Sequence, residues 1–477
     1  MLHCDKPGTG LVDAPLAFSI KLSMVTLDKC NLIPSKIDPE FCCRHDKGEL
    51  VCLMTKHVDD LKIAGRAEVV KHVLFEIQKV FGELKIMWRD FTNCGTRHIQ
   101  DPITKEIALD QIEYTQNMRP IAHPELKTAK NEAMCSAPLH QLFMSLLGAV
   151  AYLAHTRVDA LVFISALQRH NSKPQIVHVK RLNKLLAWLQ AHPKKLIYRR
   201  FGGGGGKNPE AARRTHLRNV SDAAFKREGD AGHCLRGAMF LRAPGQSEKY
   251  FVCSCVVHIL DYVCKGQRHV ARSTFAAELL SAGDTTDQGL LLAQQLHEML
   301  SGPVDAVEAR ELRLTGGFAV PMVLIVDAMS VFAAVIATFI KIPAEKSLLC
   351  HVQFIRELLD RQVLHMLAWF DTRDMSADGL TKGAVERTAI HSIMDGAMTV
   401  NHEPKVWTSR KGGRNIPEAL PATNKDEVWF TYFSDRSHLL AQFASSAYPL
   451  PSSQHTMAFA AASAQQWKPS LRAADGE

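Results

Sequence analysis

Apolar residues recur at helical spacing through the middle of the chain. Between residues 136 and 192 they return every three or four positions, which predicts amphipathic helices. Lysine and arginine fall between them, on faces that we expect to be solvated. The positions that define the period are Leu142, Leu146, Ala149, Leu153, Val179, Leu182, Leu186 and Leu189.

Before this segment, the pattern is that of short strands and turns. Residues 49–58 form a largely apolar run, Asp59 and Asp60 interrupt it, and a second apolar run follows at 61–65. Two such runs separated by a short polar turn predict a β-hairpin.

Residues 219–395 alternate strand-like and helix-like patterns. Three strand candidates are followed by a long helix and then by the order strand, helix, helix, strand, which predicts an α/β domain with a mixed five-stranded sheet and flanking helices. The charged stretch at 308–313 is expected to be a solvated loop or a helix end. The predicted strands are 218–225, 234–242, 249–260, 322–326 and 363–370, and the helices are 275–300, one from 329 and 346–361.

Composition shifts mark the remaining segments. Five consecutive glycines begin at Gly202, which predicts a linker. The last part of the chain is rich in Ala, Ser, Pro and Gln without a sustained period, so we expect it to be mostly disordered, with a docked strand at 428–433. The predicted segments are 1–125, 126–200, the linker 201–218, 219–395 and the tail 396–477.

The composition is that of a globular protein in a reducing compartment. The 477 residues suffice for about three domains. No run approaches the ~18 apolar residues of a membrane span, and residues 1–6 contain no apolar signal core. Twelve cysteines are too few for a disulfide scaffold. We therefore expect a cytoplasmic or nuclear protein that is neither secreted nor bound to a membrane.

Positive charge is concentrated in one segment. The chain carries a net charge of +8, whereas residues 173–218 contain twelve Lys/Arg and one acid. A concentrated basic stretch indicates a polyanion partner such as nucleic acid; a solvated helix face followed by a basic linker explains it equally well. The candidate contacts to a phosphate backbone are Lys180, Arg181, Lys184, Lys194 and Lys195.

Four acids occupy positions that the predicted α/β fold brings to one sheet edge: Asp222 in the first strand, Glu278 in the long helix, Asp327 after the buried strand, and Asp378 at a short helix after the last strand. Each alone is more often a cap or turn residue. Together they could hold two Mg²⁺ ions, which would activate a water and stabilise the leaving oxygen of a phosphodiester.

The motifs around these acids resemble the ribonuclease H domain of copia-type LTR retrotransposon Pol polyproteins. The resemblance implies a ribonuclease H-like fold with the four acids as catalytic metal ligands. One departure is a Thr274–Glu278 spacing one residue longer than usual. The other is Gln353 in place of a histidine, which leaves His351 either as a candidate proton shuttle or as an ordinary surface histidine. The matching motifs are Ser221-Asp222-Ala223, Ser273-Thr274 with Glu278, Asp327, and Ala377-Asp378-Gly379-Leu380-Thr381-Lys382.

The part of the chain before the basic segment resembles the same family's reverse transcriptase. Residues 10–18 are similar to a palm segment, and His57-Val58-Asp59-Asp60 stands where the family has a Tyr-Val-Asp-Asp hairpin. The resemblance implies that Asp59 and Asp60 are metal ligands of a palm. The likeness continues into the helical connection and covers about residues 7–383.

A polymerase also needs an aspartate on a strand upstream of the palm segment. Only nine residues precede Gly10, so we expect a truncated palm, lost polymerase activity, and Asp59 and Asp60 as remnants.

The sequence thus predicts a Pol fragment that hydrolyses the RNA strand of an RNA–DNA hybrid with Mg²⁺, or with Mn²⁺. Two alternatives stay open. The chain could be a catalytically inactive, nucleic-acid-binding remnant of a transposable element, or a subunit that works with other Pol chains.

Overall fold

The computed structural model describes residues 14–58, 60–201, 215–228, 231–245, 254–409 and 428–434. Asp59, most of the predicted linker and most of the predicted tail lie outside these ranges.

The α-helices are α1 (Ala14–Asp28), α2 (Ala67–Phe81), α3 (Ile112–Asn117), α4 (Glu125–Thr128), α5 (Ala137–Tyr152), α6 (Leu161–Gln168), α7 (Ile176–Ala191), α8 (Thr274–Ser301), α9 (Ala306–Thr315), α10 (Met329–Ile336), α11 (Leu348–Asp360), α12 (Asp378–Thr381) and α13 (Thr388–Met394). Short 3-10 helices lie at Leu153–His155, Val158–Ala160 and Thr372–Asp374.

The strands are β1 (Ile33–Pro34), β2 (Phe41–Asp46), β3 (Glu49–His57), β4 (Asp60–Arg66), β5 (Lys85–Trp88), β6 (Asp90–Asn93), β7 (Thr96–Gln100), β8 (Ile107–Asp110), β9 (Leu196–Tyr198), β10 (Thr215–Glu228), β11 (Ala231–Pro244), β12 (Ser254–Val256), β13 (His258–Gly266), β14 (Met322–Val326), β15 (Leu364–Trp369), β16 (Ala397–Thr399), β17 (Lys405–Trp407) and β18 (Val428–Ser434).

The chain forms two compact units. Among the described residues, the first contains 14–19 and 111–194, and the second contains 20–110, 195–409 and 428–434.

The first unit has a helical core. Helices α5, α6 and α7 bury Leu139, Phe143, Ile164 and Leu186 against one another. The predicted helical period is confirmed, although Leu142 is 43% exposed.

One helical stretch of this unit differs from the expectation that no apolar run is long enough to span a membrane. Ala137–His155, 19 residues long, is long and apolar enough to cross a membrane by length and composition alone. Its Leu139, Phe143 and Val150 lie in the helical core. A core helix of a water-soluble protein passes the same test, so the stretch is weak evidence for a span.

The second unit contains the α/β sheet that carries the candidate site. Its strand order is β13-β11-β10-β14-β15-β17. Strand β10 pairs antiparallel with β11 and parallel with β14, and β14 pairs parallel with β15. Every residue of β14 is buried, as expected for a parallel strand covered on both faces. The predicted mixed α/β class is confirmed, with β17 as an additional edge strand.

Two predicted boundaries in this sheet are wrong. Strand β10 begins at Thr215, so residues 215–218 belong to the strand and not to the linker. The third strand of the sheet, predicted at 249–260, is β13 at His258–Gly266, because its pairing with β11 runs to Gly266. Outside the sheet, the charged stretch 308–313, expected to be a solvated loop or a helix end, lies in the mostly exposed helix α9, whose first amides donate to the Asp305 carboxylate at 2.8 Å.

A second six-stranded sheet has the order β1-β2-β3-β4-β18-β5. The predicted hairpin is confirmed as β3 and β4, which pair antiparallel with His57 opposite Asp60. The strand predicted at 428–433 is also confirmed as β18, which lies between β4 and β5. Two smaller sheets, β6-β7-β8-β9 and β12-β16, complete the unit.

Helix α8 covers one face of the α/β sheet. Its Ala277, Leu279 and Ala282 pack in the same core as Leu324 of β14. The helix begins after Ser273, whose hydroxyl accepts a hydrogen bond from the Ala276 amide at 3.1 Å, as a serine N-cap does. This cap sets where the first turns, and hence Glu278, meet the sheet.

Candidate metal centre

Two parallel strands bring the first two acids together. Ser221 of β10 lies opposite Val326 of β14. Asp222 directly follows Ser221 in the sequence, and Asp327 directly follows Val326. Because parallel strands run in register, these residues emerge at the same edge of the sheet. The predicted convergence of Asp222 and Asp327 is therefore a consequence of the β10–β14 pairing.

Helix α12 brings the third acid to this edge. Asp378 is its first residue, and the helix lies against β11 where Gly237 pairs with Asp222. A Cβ atom on Gly237 would approach the Thr381 Cγ2 to 2.7 Å and the Leu380 Cβ to 3.0 Å. The close approach of α12 to the sheet thus requires glycine at position 237.

The three aspartates form a set that can hold a metal ion. Asp222, Asp327 and Asp378 each offer one carboxylate oxygen, and these oxygens all lie within 4.8 Å of one another. Asp222 and Asp378 are buried and Asp327 is half-buried. Carboxylate oxygens are the ligands that Mg²⁺ and Mn²⁺ prefer, so the donor set fits a hard divalent cation.

Glu278 lies beside this set. Its side chain is buried, and one carboxylate oxygen accepts a hydrogen bond from the Ala223 amide at 3.1 Å. The charges of Asp222 and Asp327 both act on it. All four predicted acids are therefore brought to one place, three as a close set and Glu278 as a neighbour.

Three of the acids, Glu278, Asp327 and Asp378, have a raised pKa in the metal-free protein. Burial, followed by the charges of Asp222 and Asp327, raises the pKa of Glu278 to about 9. Burial and the charge of Asp222 raise the pKa of Asp378 to about 7 and also raise that of Asp327. Desolvated like charges disfavour the ionised forms, and a bound cation would remove that penalty. A cation bound in the cluster would relieve this repulsion.

One positive side chain already contacts the acids. The Lys382 ammonium lies 2.6 Å from Asp378 Oδ1 and 3.3 Å from Asp222 Oδ1. Its side chain is 34% exposed, whereas that of Asp222 is fully buried. The surrounding carboxylates raise the pKa of Lys382, despite the opposing effect of burial. Lys382 is therefore charged at neutral pH.

Neighbouring groups hold Asp222 and Asp327 in place. The Thr381 hydroxyl donates to the Asp222 carboxylate, and the Ser281 hydroxyl donates to the Asp222 carbonyl at 3.0 Å. The Trp369 indole donates to the Asp327 carbonyl at 2.7 Å. These contacts orient the two acids, which is how outer groups tune the ligands of a metal site.

The structure places the other predicted site residues elsewhere. Asp60 begins β4, and its carboxylate accepts a hydrogen bond from Asn93 Nδ2 at 3.3 Å. His351 lies on α11, and its charge acts on Asp287 of α8. Asp59 is outside the described residues. Within the described ranges, Asp60 belongs to no set of three close metal-binding groups.

The predicted phosphate contacts are divided between two units. Lys180, Arg181 and Lys184 are on α7, and Lys180 donates to Asn131 Oδ1 at 2.9 Å. Lys194 belongs to the first unit and Lys195 to the second. Lys195 lies 3.5 Å from Asp110. Of the five predicted cations, Lys180, Arg181 and Lys184 are therefore the ones that lie together on one helix.

Sequence reasoning missed three contributors to the site: Lys382, Gly237 and Ser281. Lys382 ends the motif that begins at Ala377, and its four-residue separation from Asp378 is a signal for contact. Gly237 is the residue opposite Asp222, which only strand pairing reveals. Ser281 follows Glu278 by three residues and therefore faces the same side of α8.

The chain matches no protein-family model, no curated protein and no solved structure. The function is therefore inferred from the geometry of this centre and from the motifs that surround it.

Proposed function

We propose that this protein is a metal-dependent endonuclease that hydrolyses the RNA strand of an RNA–DNA hybrid, as a copia-type ribonuclease H does. The observation that carries the proposal is the set of Asp222, Asp327 and Asp378, with ligand oxygens within 4.8 Å of one another. Glu278 is the fourth acid beside it. The sheet order β13-β11-β10-β14-β15 supports the assignment, since a ribonuclease H-like sheet has three antiparallel strands followed by two parallel ones.

Divalent ions bound here, two Mg²⁺ or Mn²⁺, would supply charge neutralisation at a phosphodiester and activation of an attacking water. The chain's own residues have three tasks. Asp222, Asp327 and Asp378 hold the ions, and Glu278 completes the negative environment. Thr381 and Trp369 keep Asp222 and Asp327 oriented. The buried position of Asp222 excludes bulk water from one side, which strengthens every electrostatic interaction in the centre.

We propose that the hybrid is recognised by its shape, its 2′-hydroxyls and its phosphates, because such duplexes offer few base edges to side chains. The cations of α7 are candidates for contact with the phosphate backbone. The resemblance to Pol polyproteins further suggests a cytoplasmic or nuclear setting and association with other Pol chains. DNA polymerase activity is not part of the proposal.

The test is cleavage of a labelled RNA–DNA hybrid by the purified chain in Mg²⁺, compared with the Asp327→Asn variant. We expect cleavage by the parent and at least about a hundredfold less by the variant, since a metal ligand contributes several kcal/mol to the transition state. Asp305→Asn is the matched control. It removes the same charge from the N-cap of α9, where asparagine caps equally well, and should leave cleavage unchanged.

A folded parent that cleaves neither in Mg²⁺ nor in Mn²⁺ would reject the endonuclease proposal. Retained binding of the hybrid in that case would favour the inactive, nucleic-acid-binding remnant. Equal cleavage by parent and Asp327→Asn would show that the activity does not belong to this centre.

A further inference from the structure

The Lys382 ammonium contacts two of the three carboxylates that could hold a cation. It lies 2.6 Å from Asp378 Oδ1 and 3.3 Å from Asp222 Oδ1, and these two acids are members of the close set. Its Nζ therefore lies within contact distance of two of the three groups that could hold a metal ion.

We propose that Lys382 is a tethered cation that competes with the divalent metal for Asp222 and Asp378 and so sets the metal affinity of the centre. The inference rests on the proposed function, because it concerns the same carboxylates. Metal binding by the aspartates does not itself require Lys382, so the competition is an additional role for this residue.

Electrostatics supports competition. Each ammonium–carboxylate contact neutralises part of the charge that would attract a divalent ion. An entering divalent ion must therefore either displace the ammonium or bind in the weaker negative field of the partly neutralised carboxylates. Without Lys382, the same acids would repel one another more strongly in the metal-free protein and gain more from a bound metal.

The position of Lys382 in the fold allows displacement. The lysine immediately follows α12, and its backbone amide donates to the Asp378 carbonyl at 2.8 Å, which fixes the main chain. The side chain is 34% exposed, so the ammonium can move towards solvent without crossing the core. Lysine has a flexible side chain with a strongly hydrated head group, so water can replace the contacts that the ammonium leaves.

A purely structural salt bridge would predict a different result. If Lys382 only stabilised α12, its removal would weaken metal binding, because Asp378 would be held less firmly. If it competes, its removal tightens metal binding while the metal-free protein loses stability. The direction of the change in affinity therefore separates the two roles.

The experiment measures Mn²⁺ binding to the full chain by electron paramagnetic resonance of free Mn²⁺. It compares the parent with Lys382→Met, Lys382→Arg and Lys346→Met. We expect Lys382→Met to bind Mn²⁺ about tenfold or more tightly than the parent, since loss of one contacting charge at this distance is worth at least that ratio. Lys382→Arg keeps a cation and should bind no more tightly than the parent. Lys346→Met removes the same charge from an exposed position and should leave binding unchanged.

Lys382→Met is to be purified in Mg²⁺ in case the metal-free form unfolds. Its melting temperature is then followed while a chelator removes the metal. We expect a larger loss of melting temperature on metal removal than in the parent.

Unchanged or weaker Mn²⁺ binding by Lys382→Met, with the parent binding Mn²⁺ in a manner lost in Asp327→Asn, would overturn the inference and leave the metal centre intact. Tighter binding without hybrid cleavage by any form would support the inference and reject the proposed endonuclease. No Mn²⁺ binding by any form would reject both.

Discussion

Two regions of the second unit present acids near a turn, and among the described residues only one of them brings three potential metal-binding groups together. At the β10–β14 edge, Asp222, Asp327 and Asp378 come from three elements distant in sequence and lie within 4.8 Å of one another. In the β3–β4 hairpin, Asp60 comes from a local turn and is paired with Asn93. A local motif places one acid, whereas a parallel strand pair and a docked helix place several. The region with the better donor set for a metal ion is the one assembled by long-range packing.

The largest effect should come from exchanging one acid in each region. Asp222→Asn removes the most buried carboxylate of the set and should reduce hybrid cleavage by at least about a hundredfold. Asp60→Asn makes the same chemical change in the hairpin and should leave cleavage near that of the parent. Steady-state cleavage rates of the two variants, measured in Mg²⁺, check this prediction. A comparable loss in both would remove the distinction between the regions.

The next effect concerns the packing of α12 on the sheet. Gly237→Ala places a methyl group 2.7 Å from Thr381 Cγ2, so α12 must shift and carry Asp378 with it. We expect a loss of about 1–3 kcal/mol of unfolding free energy, together with reduced cleavage. Urea denaturation and cleavage assays measure the two quantities.

Gly266→Ala is the matched control on the adjacent strand β13. A Cβ atom there meets nothing within 4 Å, so stability and cleavage should stay close to those of the parent. Full activity in Gly237→Ala would show that the position of α12 does not matter to the centre.

A smaller effect is expected in the pH dependence of stability. The folded-state pKa of Glu278 is raised from 4.5 to about 9 and that of Asp378 from 3.8 to about 7. Between the ordinary pKa of each group and its folded-state pKa, the native state binds more protons than the unfolded state. Metal-free stability should therefore fall as the pH rises from about 5 to about 9. Melting temperatures in chelator measure this fall, and saturating Mg²⁺ should reduce it.

Glu278→Gln removes the group with the higher pKa, and the fall above about pH 7 should then become shallower. A stability that rises across this window in chelator would contradict the electrostatic account of the cluster.

The smallest effect should come from the first unit. Replacing Lys180, Arg181 and Lys184 by alanine should weaken hybrid binding and reduce its salt dependence. The log–log slope should fall by about 0.9 for each phosphate that the variant no longer neutralises. Binding measured across a series of salt concentrations checks this prediction. An unchanged slope would remove α7 from the interface and favour a merely solvated helix face.

Sequence-based prediction of elements succeeded where a local signal was strong. The buried run Met322–Val326 is strand β14, with the bounds expected from its apolar residues. The long helix begins within a residue of its prediction because Ser273 caps it. The predicted end of the third strand, at residue 260, is wrong because an apolar run alone does not reveal how far the strand pairs with β11. The bounds of β13 depend on that pairing, which is a tertiary property.

For the site, the amino-acid sequence was enough to establish which acids were available and that they follow strands or begin helices. Motif spacing was sufficient to name Asp222, Glu278, Asp327 and Asp378. That three of them share a space, with oxygens within 4.8 Å of one another, follows from the packing of the folded chain. The same packing shows that Gly237 admits α12 and that Lys382 reaches into the set. The physical reason is that residue type and local period are encoded in neighbouring positions, whereas charge clustering and desolvation arise only when distant segments pack together.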